Sequence, residues 1–444
     1  MKYAAIILLM LLAAGSAMAQ TQSAPPAPVA GSVPDQPETP TYEPMDQPLS
    51  GVETQDIGWS SESRNTFVPF VTASGGWESN APHLSGTSST TAGSGIANLA
   101  GGLTLNRMSG TGNVTSLEYM GGGQLYTVDS NLNGQFQRLN FSQRLLAGRW
   151  SFLLSDGFSY QKDAFAAAAP MLFPGVYFGP GGTFYRPGVT PGESIIGQNT
   201  PRINNSSTGQ VTYGFSRATS LTTNFSYGVL HYLDSAVYLS NRQLSGGGGL
   251  DHRFGRDTLG LNYEFTRFSY DDIPVKFDSH TTQVVFSHVL TGRWSFEAGG
   301  GPSILVSDYS LYKMTRVYGS GHAALHYKVP MTDLTLRYGR SVTNGSGVLP
   351  GAITDDVGFM GNRGLSRATS VNFSGGYSRN SGVFVNSSFN TFYVGAGVSQ
   401  KLGRYASVSF GYTGQRQTGS ASSGLTRHSV LVSFKWSFRP IMLR

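Results

Sequence analysis

From Thr66 to Phe438 apolar and polar residues alternate with a period of two, and short polar breaks interrupt the alternation again and again. That period puts successive side chains on opposite faces of an extended strand. Leu259, Leu261, Tyr263 and Phe265 thus share one face, while Asn262, Glu264 and Thr266 share the other. Leu334, Leu336 and Tyr338 oppose Thr335 and Arg337 in the same way. Ala323, Leu325 and Tyr327 likewise oppose His322, Ala324, His326 and Lys328. The pattern predicts strands over 66–78, 96–107, 113–125, 134–145, 149–161, 208–216, 219–231, 244–254 and 258–269. It continues over 279–290, 294–305, 317–328, 333–342, 354–364, 368–379, 388–400, 405–416 and 427–438.

The breaks are of two kinds, and they take turns. Short ones recur almost letter for letter: Leu146-Ala-Gly-Arg149-Trp-Ser-Phe152 returns as Leu290-Thr-Gly-Arg293-Trp-Ser-Phe296. Phe215-Ser-Arg-Ala-Thr-Ser-Leu221 returns as Leu365-Ser-Arg-Ala-Thr-Ser-Val371, and Phe254-Gly-Arg-Asp257 and Leu402-Gly-Arg-Tyr405 are relatives. Glycine supplies the positive φ of a tight hairpin, and the strands resume at once on either side. The other breaks are longer and polar. Short turns on one side and long loops on the other give 18 antiparallel strands with both ends on the short-turn side. One misread hairpin would make the number 16.

A soluble sandwich turns its apolar face inward, and periodicity alone leaves that arrangement open. Length and aromatic placement argue for a barrel turned inside out. Most of the strands have the roughly 9–11 residues a tilted strand needs to cross a bilayer, or slightly more. Trp150, Trp294, Tyr405 and Trp436 stand at strand ends, where an interfacial belt belongs. Composition agrees. Charged residues make up 13% of the chain, about half the share in ordinary soluble domains. Mean hydropathy is only −0.16, as expected where lipid-facing and lumen-facing residues cancel. The expected fold is therefore all-β, a transmembrane up-and-down barrel over 66–438.

The flanks differ from this body. Lys2, the apolar run Ala4–Ala14 and Ala17-Met18-Ala19 read as a secretory signal over residues 1–19. Residues 20–65 hold eight prolines, and seven acids oppose Arg64 alone. Such a segment buries too little apolar surface to offset its ordering entropy, and it reads as a disordered periplasmic tail. A periplasmic partner that docks on it is the sharper expectation. Residues 439–444 form a short C-terminal extension.

In the last strand Val430, Val432, Phe434, Trp436 and Phe438 fall on one face and end on an aromatic residue. This resembles the C-terminal strand signal of bacterial outer-membrane barrels of the porin-like class, without pointing to one subfamily. The six residues after Phe438 depart from that pattern, in which the aromatic residue ends the chain. The resemblance implies the bacterial outer membrane as location. It implies lipid, lipopolysaccharide and the barrel-assembly machinery as partners, and a homo-oligomer is compatible with it.

After residue 65 the chain carries 29 basic against 18 acidic residues. Charges on the lipid face cost roughly 2–4 kcal/mol near the midplane. Glu118, Arg138, Arg144, Asp251, Arg253, Glu264, Glu297, Arg337 and Lys435 lie on the polar phase and are the expected pore-lining set. A net positive field favours anions. The long connection Lys162–Ser207 places Phe173, Tyr177, Phe178, Phe184, Tyr185 and Arg186 among glycine and proline. It is the expected constriction loop.

Catalysis finds no support. The chain has no cysteine, and no Gly-x-Ser-x-Gly elbow is present. His322 and His326 are about 13 Å apart on a strand, too far to share one ion. No metal, cofactor or nucleic acid is expected. Passive diffusion of small hydrophilic solutes is the favoured function. Export of an acidic polysaccharide and a structural or adhesive barrel are the alternatives.

Overall fold

The computed structural model describes residues 65–443, except 80–92, 110–112, 129, 163–199, 234–237, 310–311, 346–347 and 420–421. The expected signal, nearly all of the tail and the aromatic residues of the expected constriction loop lie outside the described residues.

The first third of the sheet comprises β1 (Thr66–Glu78), β2 (Ser94–Ser109), β3 (Asn113–Tyr126), β4 (Gly134–Ala147), β5 (Trp150–Gln161) and β6 (Arg202–Gly214). Then come β7 (Thr219–Tyr232), β8 (Asn241–Phe254), β9 (Asp257–Tyr270), β10 (Val275–Val289), β11 (Trp294–Tyr309) and β12 (Tyr312–Val329). The last third is β13 (Thr332–Thr343), β14 (Ala352–Gly364), β15 (Thr369–Gly382), β16 (Ser388–Lys401), β17 (Ala406–Gly419) and β18 (Ser422–Ser437). Each pairs antiparallel with its neighbours in sequence, and Phe70–Glu78 of β1 pair with Ser437–Ser429 of β18. The sheet closes into a barrel with 18 wall strands, which excludes the alternative of 16. Closure leaves no edge, so backbone groups are paired without water. The two residues of β19 (Ile441–Met442) continue the course of β18 beside Phe67 and Thr66, which ties the C-terminal extension to the start of β1.

The repeated turn sequences fold into repeated geometry. In Phe215–Leu221 the Ser216 hydroxyl accepts the N–H groups of Ala218 (3.1 Å) and Thr219 (3.0 Å). In Leu365–Val371 Ser366 accepts those of Ala368 and Thr369 at the same distances. The other repeat diverges at one residue. Gly148, at φ +61°, makes the two-residue turn between β4 and β5. Where the second copy has Thr291 in place of Ala147, the threonine hydroxyl accepts the N–H groups of Arg293 and Trp294, each at 3.2 Å. That hairpin opens to four residues.

Two expectations about strands need correction. Several strands run longer at the long-loop end than the alternation showed, the longest being the 18 residues of β12. And β6 begins at Arg202, not 208. Its missing half, Asn204-Asn205-Ser206-Ser207, is polar on both faces and gives no alternation to read.

Burial alternates as the sequence does. Large apolar side chains on one phase are exposed, among them Leu99, Leu154, Leu261, Phe392, Val432, Phe434 and Trp436. The five residues of the C-terminal signal strand all lie on this outer phase, with Val430 half-buried. An apolar belt of this extent suits lipid and not water. Trp150 and Trp294 open their strands at the short-turn end, and each packs on a cross-strand tyrosine, Tyr213 and Tyr327, at 4.6 Å between ring centroids. The chain is a membrane-spanning barrel.

Candidate channel interior

All nine expected pore-lining residues fall on the inward phase. Glu118 on β3 precedes the exposed Tyr119, Glu264 on β9 follows the exposed Tyr263, and Lys435 on β18 lies between exposed Phe434 and Trp436. Arg138 and Arg144 share the inward phase of β4, Asp251 and Arg253 that of β8. Glu297 of β11 and Arg337 of β13 complete the set.

Eight of them stand on two separate walls of the ring, β18–β4 and β8–β11, and Arg337 stands apart on β13. On the β18–β4 side Glu118 lies within electrostatic reach of Lys435 and Arg138. The Lys435 ammonium sits 4.1 Å from the centroid of the Phe70 ring. This wall rests on an apolar patch of Phe70, Ala100, Met120, Phe136 and Leu431. The β8–β11 side carries three carboxylates against Arg253. Asp251 and Glu297 feel each other's charge, and Glu297 Oε1 lies 3.4 Å from His322 Nε2. Glu264 adds a third carboxylate one strand away from Asp251.

Inward charges that the sequence reading passed over sit nearer the strand ends: Glu78, Arg202, Arg316, Asp356, Lys401 and Arg427. Arg202, Arg316 and Lys401 lie beyond the predicted strand bounds, whereas Glu78, Asp356 and Arg427 lie within them, on the phase that parity assigns inward. Glu78 and Arg427 form an ion pair that is fully buried, with both side chains at 1% exposure or less, at the seam where β1 meets β18. They come from opposite ends of the barrel's sequence, so no local signal joins them.

The long-loop end of β9–β11 has a different lining. Phe268, Tyr270, Phe277 and Leu305 turn inward and pack with Val342 and Val383. Described residues of the connection after β13, Asn344 and Gly351 among them, reach over to this cluster. The Tyr270 hydroxyl donates to the Asn344 carbonyl (2.7 Å), and Asn344 Nδ2 donates to Asn241 Oδ1 (2.9 Å). Gly351, at φ +86°, lies where a Cβ would meet the Phe277 ring at 2.9 Å. From the next connection Val383 accepts from Arg316 through its carbonyl (3.2 Å), and Phe384 packs on Phe277. Beside this, Leu349 and Val348 pack with Phe389, and Val348 also touches Leu230, Tyr232 and Tyr238. The mouth is thus bridged between β7–β10 and β13–β16 by a connection that the sequence reading did not single out.

The outward carboxylates Asp278 and Asp355 stand toward the long-loop end, paired with Arg267 and Arg340, but one carboxylate stands nearer mid-strand. Asp156 lies on the outward phase of β5, six residues above Trp150. It accepts from Ser207 Oγ (2.5 Å) and from Asn205 Nδ2 (3.3 Å), both on β6. Among the described residues no group of three or more His, Asp or Glu side chains is placed to hold a metal ion.

No protein-family model and no curated protein matches the chain. Solved structures with a similar course include OccK2 (OpdF) of Pseudomonas aeruginosa in complex with glucuronate, at 13% identity and a TM-score of 0.43, covering 84% of this chain and 98% of that one. OpdK of the same organism with vanillate aligns at 10% identity and a TM-score of 0.44, covering 84% and 99%. Likenesses this remote add nothing to what the barrel itself shows.

Proposed function

We propose that the chain is a bacterial outer-membrane channel through which small hydrophilic solutes diffuse, with a preference for anions. One observation carries the reading: a closed barrel keeps its apolar residues outside and gathers its mid-strand charges inside, Asp156 excepted. Charge is costly beside lipid and is retained on an inner wall where water or a solute meets it. A closed sheet that crosses a membrane, preceded by an expected secretory signal, belongs in an outer membrane. Arg138, Arg144, Arg253, Arg337 and Lys435 supply the basic excess among the expected lining residues, and a basic interior attracts anions.

Passage itself asks no covalent chemistry of the protein. Separate acidic and basic walls orient a polar solute across its path. They also disfavour export of an acidic polymer, because Asp251, Glu264 and Glu297 would repel it where it passes them. The bridged mouth supports a conductance limited by the packed loops and favours a gated channel over a wide pore. The test is single-channel conductance of the refolded barrel in a planar bilayer under a KCl gradient. Stable steps with a reversal potential on the chloride side are expected. A folded barrel that never conducts would move the weight to a structural role.

A further inference from the structure

On the acidic wall, β8 contains the run Gly246-Gly-Gly-Gly249, of which Gly247 and Gly249 face inward. Their missing side chains leave a recess between β7 and β9. Neighbouring oxygens occupy its rim. A Cβ on Gly249 would fall 1.9 Å from Asn262 Oδ1, one on Gly247 would fall 3.0 Å from Asn224 Oδ1, and one on Gly260 would fall 2.3 Å from Asp251 Oδ1. The recess holds a cavity of about 40 Å³ that Gln210, Asn224, Asp251, Asn262, Glu264 and Gln283 help to line. No Lys, Arg or His is among its described lining residues. Oε1 of Glu264 is shielded from solvent and meets no hydrogen-bond partner among the described residues.

A shielded carboxylate oxygen without a donor is unfavourable, and a bound cation that donates hydrogen bonds relieves it. Two carboxylates surrounded by amide and threonine groups form a polar recess with a net negative lining and no competing cation among its described lining residues. Its volume exceeds that of one water site and suits a group of a few atoms. We propose that this recess is a binding subsite for the ammonium group of a small hydroxylated solute. Glu264 and Asp251 hold the cation, and Gln210 and Gln283 meet hydroxyls at the rim. The proposal rests on the channel reading and gives it a solute class. The net field of the interior acts on small ions, while the recess acts on the one group that fits it.

Glucosamine and glucose differ by a single ammonium group and are the probes of choice. Their binding to the refolded barrel in detergent micelles, measured by titration calorimetry at neutral pH, needs no conducting pore. Glucosamine should bind saturably and glucose at least tenfold more weakly. Glu264→Gln and Asp251→Asn should each weaken glucosamine at least tenfold. Gly249→Ala, which keeps both charges and pushes Asn262 into the recess, should weaken it as well. Heat-shifted gel mobility shows that each variant is folded. Equal binding of the two sugars, or a folded Glu264→Gln barrel that binds as the parent does, overturns the subsite. A barrel that binds with this selectivity yet does not conduct overturns the channel reading alone.

Discussion

Two halves of the same inner wall obey different rules. Along the inward phase of β9, Asn262, Glu264 and Thr266 give way to Phe268 and Tyr270 within a few residues. On β10 and β11 the polar Gln283, Thr281 and Ser303 likewise give way to Phe277 and Leu305. The register places these changes side by side, since Phe277 pairs with Phe268 and Ser279 with Leu305. The polar half is a surface built for water or a solute. The apolar half is a surface built for the protein's own loops, and the bridge through Asn344, Leu349 and Phe384 lies there. An inner wall that is polar along its whole length would leave those loops nothing to pack against.

The contrast breaks first under truncation. Phe277→Ala should cost about 3–5 kcal/mol, because it opens a cavity in a packed cluster. Asn262→Ala, on the same wall in the polar half, should cost less than about 1.5 kcal/mol. Urea unfolding of the barrel in lipid or detergent compares them directly, and equal losses would erase the distinction. At the same end of the barrel, Arg427→Ala should cost about 3–5 kcal/mol by breaking a fully buried ion pair with Glu78.

A finer cut tests the bridge itself. Tyr270→Phe removes the hydroxyl that donates to Asn344 and should cost about 1 kcal/mol. In a bilayer the same variant should lengthen or enlarge open events if the connection 344–351 restricts the mouth. Unchanged events would place the restriction elsewhere. The smallest expected effect is outside. Asp156→Leu removes the lone mid-strand carboxylate from the described outer wall and should stabilise the barrel in lipid by about 1 kcal/mol. A loss of stability would mean that Asp156 meets a partner and not lipid.

The sequence carried the fold because each level of it repeats the same instruction. Alternation marks the strands, near-identical turn peptides mark the hairpins, and the phase of Val430–Phe438 marks the outer face. It failed where those cues cancel. Asn205 and Ser207 are polar on the outer phase because they serve Asp156, so the start of β6 looked like loop. The charged interior was legible by parity, and all nine expected residues share the inward phase. Its division into two walls was not, because that depends on which strands stand near one another in the ring. The bridge was illegible for a similar reason: Asn344 meets Asn241 and Tyr270, which are distant in sequence, and nothing local in Asn344–Gly351 announces an inward course.

Single-channel recording on the refolded barrel tests the central claim most directly. The account predicts discrete steps, a reversal potential on the chloride side, and larger steps once Phe277 and Phe384 are both replaced by alanine. A barrel shown to be folded by heat-shifted mobility that stays silent even with both phenylalanines removed would contradict it.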